Sequence, residues 1–243
     1  MALDWSAETL RVSLFSNTVV KLAQADWKQI TGDQQPEAEQ RVAGRHSMSG
    51  PFLKGRLNMS ATAGRIDCIL RPSDSISDDS LQSVGPWREV SEQFVKSTEH
   101  WIADRTFPVI RMAVGAILLA AQPNADAAYK SLLGMLKSLG VDPRRARDLL
   151  FRVNWPVSSR TVQGLPINRL TTWSVIQFQV QVVSKTGPNV VMEERPSSYF
   201  VRLEVDHNTD GQRSEPFEQS HLATLYRELT TLAVENAEKG ELS

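Results

Sequence analysis

The densest run of side chains able to do chemistry is Asp206-His-Asn208-Thr-Asp210-Gly211. Carboxylates and an amide on alternate residues, followed by glycine for a sharp turn, are how a calcium loop aims several hard oxygens at one ion. In such a loop the twelfth position would be Phe217 instead of a bidentate glutamate, with Glu218 displaced by one and a strand where a helix should stand. An Asx-rich turn leaving a strand accounts for the same residues, because Asp and Asn bond their own backbone and tolerate left-handed geometry. That turn is the expectation, with Asp206, Asn208 and Asp210 as the residues a metal would use.

A second constellation is basic. From Lys137 to Arg169 there are seven Lys/Arg, including Arg144, Arg145, Arg147, Arg152, Arg160 and Arg169, against Asp142 and Asp148 alone, with Phe151 and Trp155 interleaved. Arginines neutralise phosphates and aromatic rings stack on unpaired bases, so a nucleic-acid surface is one reading of the stretch. The other is a solvated turn with ion pairs to the acidic C-terminal region, where 11 Asp/Glu from Glu193 to Glu241 meet five Lys/Arg.

Other signatures are missing. The four histidines, His46, His100, His207 and His221, are dispersed, and none sits in an H-E-x-x-H or H-x-H arrangement. There is no phosphate-cradling G-x-x-x-x-G-K-[ST] or G-x-G-x-x-G, and no G-x-S-x-G nucleophile elbow. The single cysteine, Cys68, excludes an intramolecular disulfide and a paired-thiolate metal site. No cofactor is expected. Outward-facing Arg65 with Asp67, and Arg202 with Glu204 and Asp206, would make an acid/base site only if the fold brought them together. Alternating charges on a solvated sheet face explain them equally.

With 27 Lys+Arg against 28 Asp+Glu among 243 residues, 41% of them hydrophobic, the chain has the balance of a globular protein without the global basic excess of a polyanion binder. Its start lacks the basic and apolar regions of a secretory signal, and the apolar run from Met112 to Ala121 is about half the roughly 20 residues of a membrane span. A cytoplasmic protein with no membrane contact is the expectation.

The elements that must position these residues follow from periodicity. Leu10, Val12 and Leu14 alternate with polar residues as a strand half buried on one face. Val19 to Ile30 reads as a short helix stopped at Gly32, residues 33–40 as a loop, and 52–72 as a hairpin. Residues 73–83 read as an exposed linker, a possible sub-division between 1–72 and 86–243 of one domain. Pro86 opens a helix carrying Trp87, Val90, Phe94 and Trp101 to about Ala103. Val109 to Ala121 reads as a central strand; a helix capped by Asn124 is closed by Gly140; and 149–154 is a short strand. In the next strand Ile176, Phe178, Val180 and Val182 point to the core while Gln177, Gln179 and Gln181 point out. Its partner places Tyr199, Val201, Leu203 and Val205 inward, and Leu222, Leu225, Leu229 and Leu232 mark a C-terminal amphipathic helix. This order predicts an α+β fold, a mainly antiparallel sheet with helices covering one face.

At Val109 to Leu119, Leu165 to Val175 and Val201 to Asp206 the chain resembles a loose group of sporadically distributed, uncharacterised bacterial α+β proteins. The resemblance covers roughly the C-terminal half and rests on core strands. It implies an accessory protein working beside others, as in a defence system, and transfers no site residue. The function expected is non-enzymatic: binding to a protein partner or to a second copy, with Trp155, Trp173 and the glutamines 177, 179 and 181 as contact residues. Nucleic-acid binding through the basic stretch, with a nuclease component as one form of it, is the competing expectation.

Overall fold

A computed structural model describes residues 3–73, 81–179, 181–186, 189–194 and 197–240, the backbone alone for 181–194. In chain order the elements are β1 (Ser6–Phe15), α1 (Gln24–Thr31), β2 (Ala38–Val42), β3 (Arg45–Phe52), β4 (Gly55–Thr62) and β5 (Arg65–Arg71). Then come β6 (Gly85–Pro86), α2 (Trp87–Ala103), β7 (Arg111–Gln122), α3 (Ala125–Met135), β8 (Leu150–Asn154) and β9 (Val157–Ser158). The last are β10 (Pro166–Phe178), β11 (Gln181–Thr186), β12 (Asn189–Glu194), β13 (Ser198–Thr209) and α4 (Gln219–Lys239).

All pairings are antiparallel, in the order β2-β3-β4-β5-β1-β7-β13-β10-β8, with β6 on β1 and β9 on β10. The fold is α+β, as the element order predicts. The first strand sits in the middle, paired to β5 on one side and β7 on the other, so residues before and after 73–85 share one sheet.

The period of two decides which side chains meet the helices. Leu10, Val12 and Leu14 are buried beside Leu70, Cys68 and Ile66 of β5 and Ala116, Val114 and Met112 of β7. Against this face pack Trp87, Val90, Phe94 and Trp101 of α2 and Leu222, Leu225 and Leu229 of α4, which the 3.6-residue period places on one stripe; Tyr226 is buried beside them, and Leu232 of the same stripe only partly. The helices are tied to one another by polar contacts. The Thr98 hydroxyl bonds the Tyr226 hydroxyl at 2.7 Å. Buried Asp26 accepts from Trp101 Nε1 at 3.0 Å and pairs with Arg105, fixing α1 on α2. The Asn124 side chain caps α3 by accepting from Ala127 N–H.

Several expectations need correction. Trp173 is no partner anchor: it is fully buried, its ring centroid 6.1 Å from that of Trp5, whose Nε1 bonds the Ala237 carbonyl. The inward set of β10 is Ile167, Arg169, Thr171 and Trp173, directly opposite Thr209, His207, Val205 and Leu203, so Ile176 and Phe178 lie on the other face. Val180 and the side chain of Val182 fall outside the description. Part of 33–40 belongs to β2, an edge strand exposed at every residue. The first helix begins only at Gln24, and α3 ends at Met135, before Gly140. The linker expected at 73–83 falls mostly outside the described residues.

Candidate functional site

The helices leave the other sheet face uncovered, and there β5, β1, β7, β13, β10 and β8 together line one cleft of about 980 Å³. Its floor is built by registry. Arg11, Gly115, Asp206 and Leu170 stand in one row across four strands. Arg11 reaches over Gly115 to Asp206, its Nη2 3.6 Å from Oδ1. A Cβ at 115 would lie 3.1 Å from Arg11 Nε and Nη2, so glycine is what lets the guanidinium cross the strand between. A register shift between Ala7 and Thr9 admits Glu8 as an extra residue, and Glu8 and Thr9 both line the cleft. Arg202 then bridges Glu204 beside it and Glu8, 3.9 Å away on β1.

Below this row a second polar ladder crosses the sheet. Ser13 donates to Asp67 at 2.5 Å, and Arg65 pairs with the same carboxylate at 2.7 Å. Arg111 donates to Asn208 Oδ1 at 3.1 Å, and Asn168 and Asn154 continue the chain to the edge. The Phe15 ring lies between the Arg65 and Arg111 guanidiniums, at 5.0 and 4.9 Å. Thus Arg65, Asp67, Arg202, Glu204 and Asp206, outward in the sequence pattern, do share this face, each held in an ion pair.

Two arginines differ. Arg71 on β5 and Arg152 on β8 are exposed, line opposite sides of the cleft, and meet no carboxylate among the described residues. A neighbouring hollow of about 540 Å³ over β3, β4 and β5 shares Arg71 and adds Arg45 and Arg56. Arg56 pairs with Glu37 at 2.7 Å, whereas Arg45 is free among the described residues. Such a surface can recognise planar anions, since a guanidinium fork matches carboxylate or phosphate geometry.

Asp206 and Asn208 lie within β13, facing the uncovered side, not in a loop; Asp210 beyond it accepts from Gln212 N–H. Among the described residues no three His, Cys, Asp or Glu side chains are grouped for a metal. The basic stretch does not form one patch. Arg144 is tied to Asp142, and Arg147 reaches Asp126 at 3.7 Å and stacks on Tyr129. Arg145 and Arg160 are exposed, and the Arg160 backbone N–H bonds Glu228 at 2.6 Å. Arg169 is 8% exposed on the helix side, the opposite face from Arg152, and cannot reach a surface phosphate. Trp155 is 39% exposed beside the β8 edge. Gln177 is exposed and donates to Ser197, Gln179 is exposed with a bonding partner, and the Gln181 side chain is outside the description. His100 lies 3.8 Å from Asp104 at the exposed end of α2, while His207 is in the core.

Compared with family models, with curated proteins and with solved structures, the chain finds no match. The site therefore stands on its own geometry. Glu8, Arg11, Arg71 and Gly115 were not singled out from sequence. Their only signal there was position, as the polar or small slots between inward residues of β1, β5 and β7. No helix among the described residues is long and apolar enough to cross a membrane.

Proposed function

We propose that this is a cytoplasmic binding protein that works through a protein partner, received on the uncovered face of its sheet. The observation that carries the reading is the cleft lined by six strands on the side the helices leave open. A sheet face normally buries its apolar side chains and leaves polar ones in water. Here the polar face is also concave, ordered by cross-strand ion pairs, and floored by Ile117, Leu170 and Thr172, a mixture that suits a peptide surface. At its margin Leu150 is 65% exposed, a large apolar side chain available to a partner. The three carboxylates of the cleft are held by two arginines, Asp206 by Arg11 and both Glu204 and Glu8 by Arg202, which favours a holding surface over proton transfer. An accessory role beside other proteins is also what the bacterial resemblance implies.

The test is site-specific photocrosslinking in the native host, with a photoactivatable phenylalanine at Thr172 or Leu150 on the uncovered face and at Glu92 on α2 as control. One and the same protein, identified by mass spectrometry and resistant to nuclease, is expected from Thr172 and Leu150 and not from Glu92. Nuclease-sensitive adducts, equal labelling from all three positions, or no adduct from a chain that light scattering shows to be a lone monomer would each overturn the reading.

A further inference from the structure

We infer that the segment bound in the cleft is an extended acidic peptide whose carboxylates pair with Arg71 and Arg152. This rests on the protein-partner reading above and adds the chemistry of the partner. Every cation on the uncovered face of β5, β1, β7, β13, β10 and β8 is an arginine: Arg11, Arg65, Arg71, Arg111, Arg152 and Arg202. Four of them are engaged within the fold, by Asp206, Asp67, Asn208 and Glu204. The two that meet no carboxylate among the described residues stand on opposite walls of the same cleft. Charges that the fold leaves unpaired at both ends of one groove call for anions at both ends of what fills it.

Spacing sets the length of that occupant. From β5 to β8 there are five strand-to-strand steps, which at about 4.8 Å each separate the two walls by no more than roughly 24 Å, the span of about seven extended residues. Between the walls lie Thr9, Ile117, Leu170 and Thr172, hydroxyls and short aliphatic surface over which a polypeptide can run, together with Glu8, Glu204 and Asp206, whose charges are taken up by Arg202 and Arg11. The Nε of Arg11, buried and unbonded at the floor, is a further donor facing no acceptor of its own among the described residues. Single-stranded nucleic acid is disfavoured by the same inventory. Among the described residues no aromatic ring lines the cleft, and Phe15 nearby already carries two guanidiniums, so bases find no stacking platform there.

The experiment uses the full chain and fluorescence anisotropy with three probes: a labelled decapeptide of alternating Glu and Ala, its Lys/Ala counterpart, and a ten-nucleotide oligouridylate. The Glu/Ala peptide is expected to bind with a Kd below about 100 µM, and the other two not to bind. Arg71→Glu with Arg152→Glu should weaken it at least about tenfold, and Arg71→Lys, which keeps the charge but loses the fork, by roughly fivefold. Both arginines are exposed, so the variants should melt as the wild type does; Thr172→Trp, which fills the cleft floor, gives an independent block of the same binding. No binding of the Glu/Ala peptide while the Thr172 crosslink persists overturns the acidic partner and leaves the protein-partner reading standing. Oligouridylate binding lost in the same variants overturns both, and peptide binding indifferent to all of these substitutions overturns the cleft as its site.

Discussion

At the residue scale the most demanding group is not in the cleft but beneath the helices. Arg169 and His207 face each other across β10 and β13 on the buried side, 8% and 0% exposed. Burial, with the neighbouring guanidinium adding to it, pushes the His207 imidazole down to about 3, against a weaker opposing pull from the Leu229 backbone. Burial also lowers Arg169, and Glu235 partly restores it. The sign for stability follows. An unfolded histidine takes up a proton near pH 6.5 and the folded one does not, so the stabilisation is complete above pH 6.5 and is lost progressively as pH falls toward 3. Each unit of that interval costs about 1.4 kcal/mol. Urea unfolding between pH 7.5 and 5 should show this slope in the wild type and a flatter one in His207→Leu. Parallel slopes would mean that His207 is protonated in the folded chain.

At the element scale the sequence pattern names β10 correctly as a strand and assigns it the wrong face, and the reason is physical. Its clearest alternation, Ile176 and Phe178 against glutamines, lies at the distal end, past the residues that pack on the helices. The inward face is set by Trp173 against Leu203 and Trp5, and a slip of one residue exchanges every side chain. Leu225 on α4, fully buried, and Phe178 on the uncovered face therefore part company, although periodicity places both in the core. Leu225→Asp should cost more than about 4 kcal/mol, enough to unfold a domain whose whole stability is on the order of 5–15 kcal/mol. Phe178→Asp should change stability by about 1 kcal/mol or less and leave a cooperative thermal melt. Elements with a strong period and a clear stop, α2, α4 and the β4–β5 hairpin, were legible. β2 was not, because an edge strand exposed at every residue has no apolar alternation to read. The site was legible only as isolated outward charges: that Arg11 spans Gly115 to Asp206 depends on β1 lying between β5 and β7, a pairing made across more than 100 residues.

At the scale of the molecule, that central position makes the two halves of the chain depend on each other. The β1–β5 face of the N-terminal half, with Val12 opposite Cys68, is covered by α2 and α4, which lie beyond residue 85. Cys68 is fully buried within this contact, and Tyr226 of α4 is near enough for the cysteine to add to the phenol's cost of ionising; burial is the main cause in both and, with Asp67 adding to it, pushes the thiol well above its usual range. A thiol with so little thiolate and no access to solvent reacts only when the sheet and the helix layer separate. In the full chain, labelling of Cys68 by a thiol reagent should therefore proceed in a single phase that accelerates with denaturant in step with unfolding measured by tryptophan fluorescence. In a fragment of residues 1–72, stripped of α2, α4 and the β7 partner of β1, the same cysteine should react at the rate of a free thiol and the fragment should show no cooperative melt. A 1–72 fragment that melts cooperatively and protects Cys68 would instead establish a unit that folds by itself, with its boundary near residues 73–85 and the binding face assembled from two independent parts.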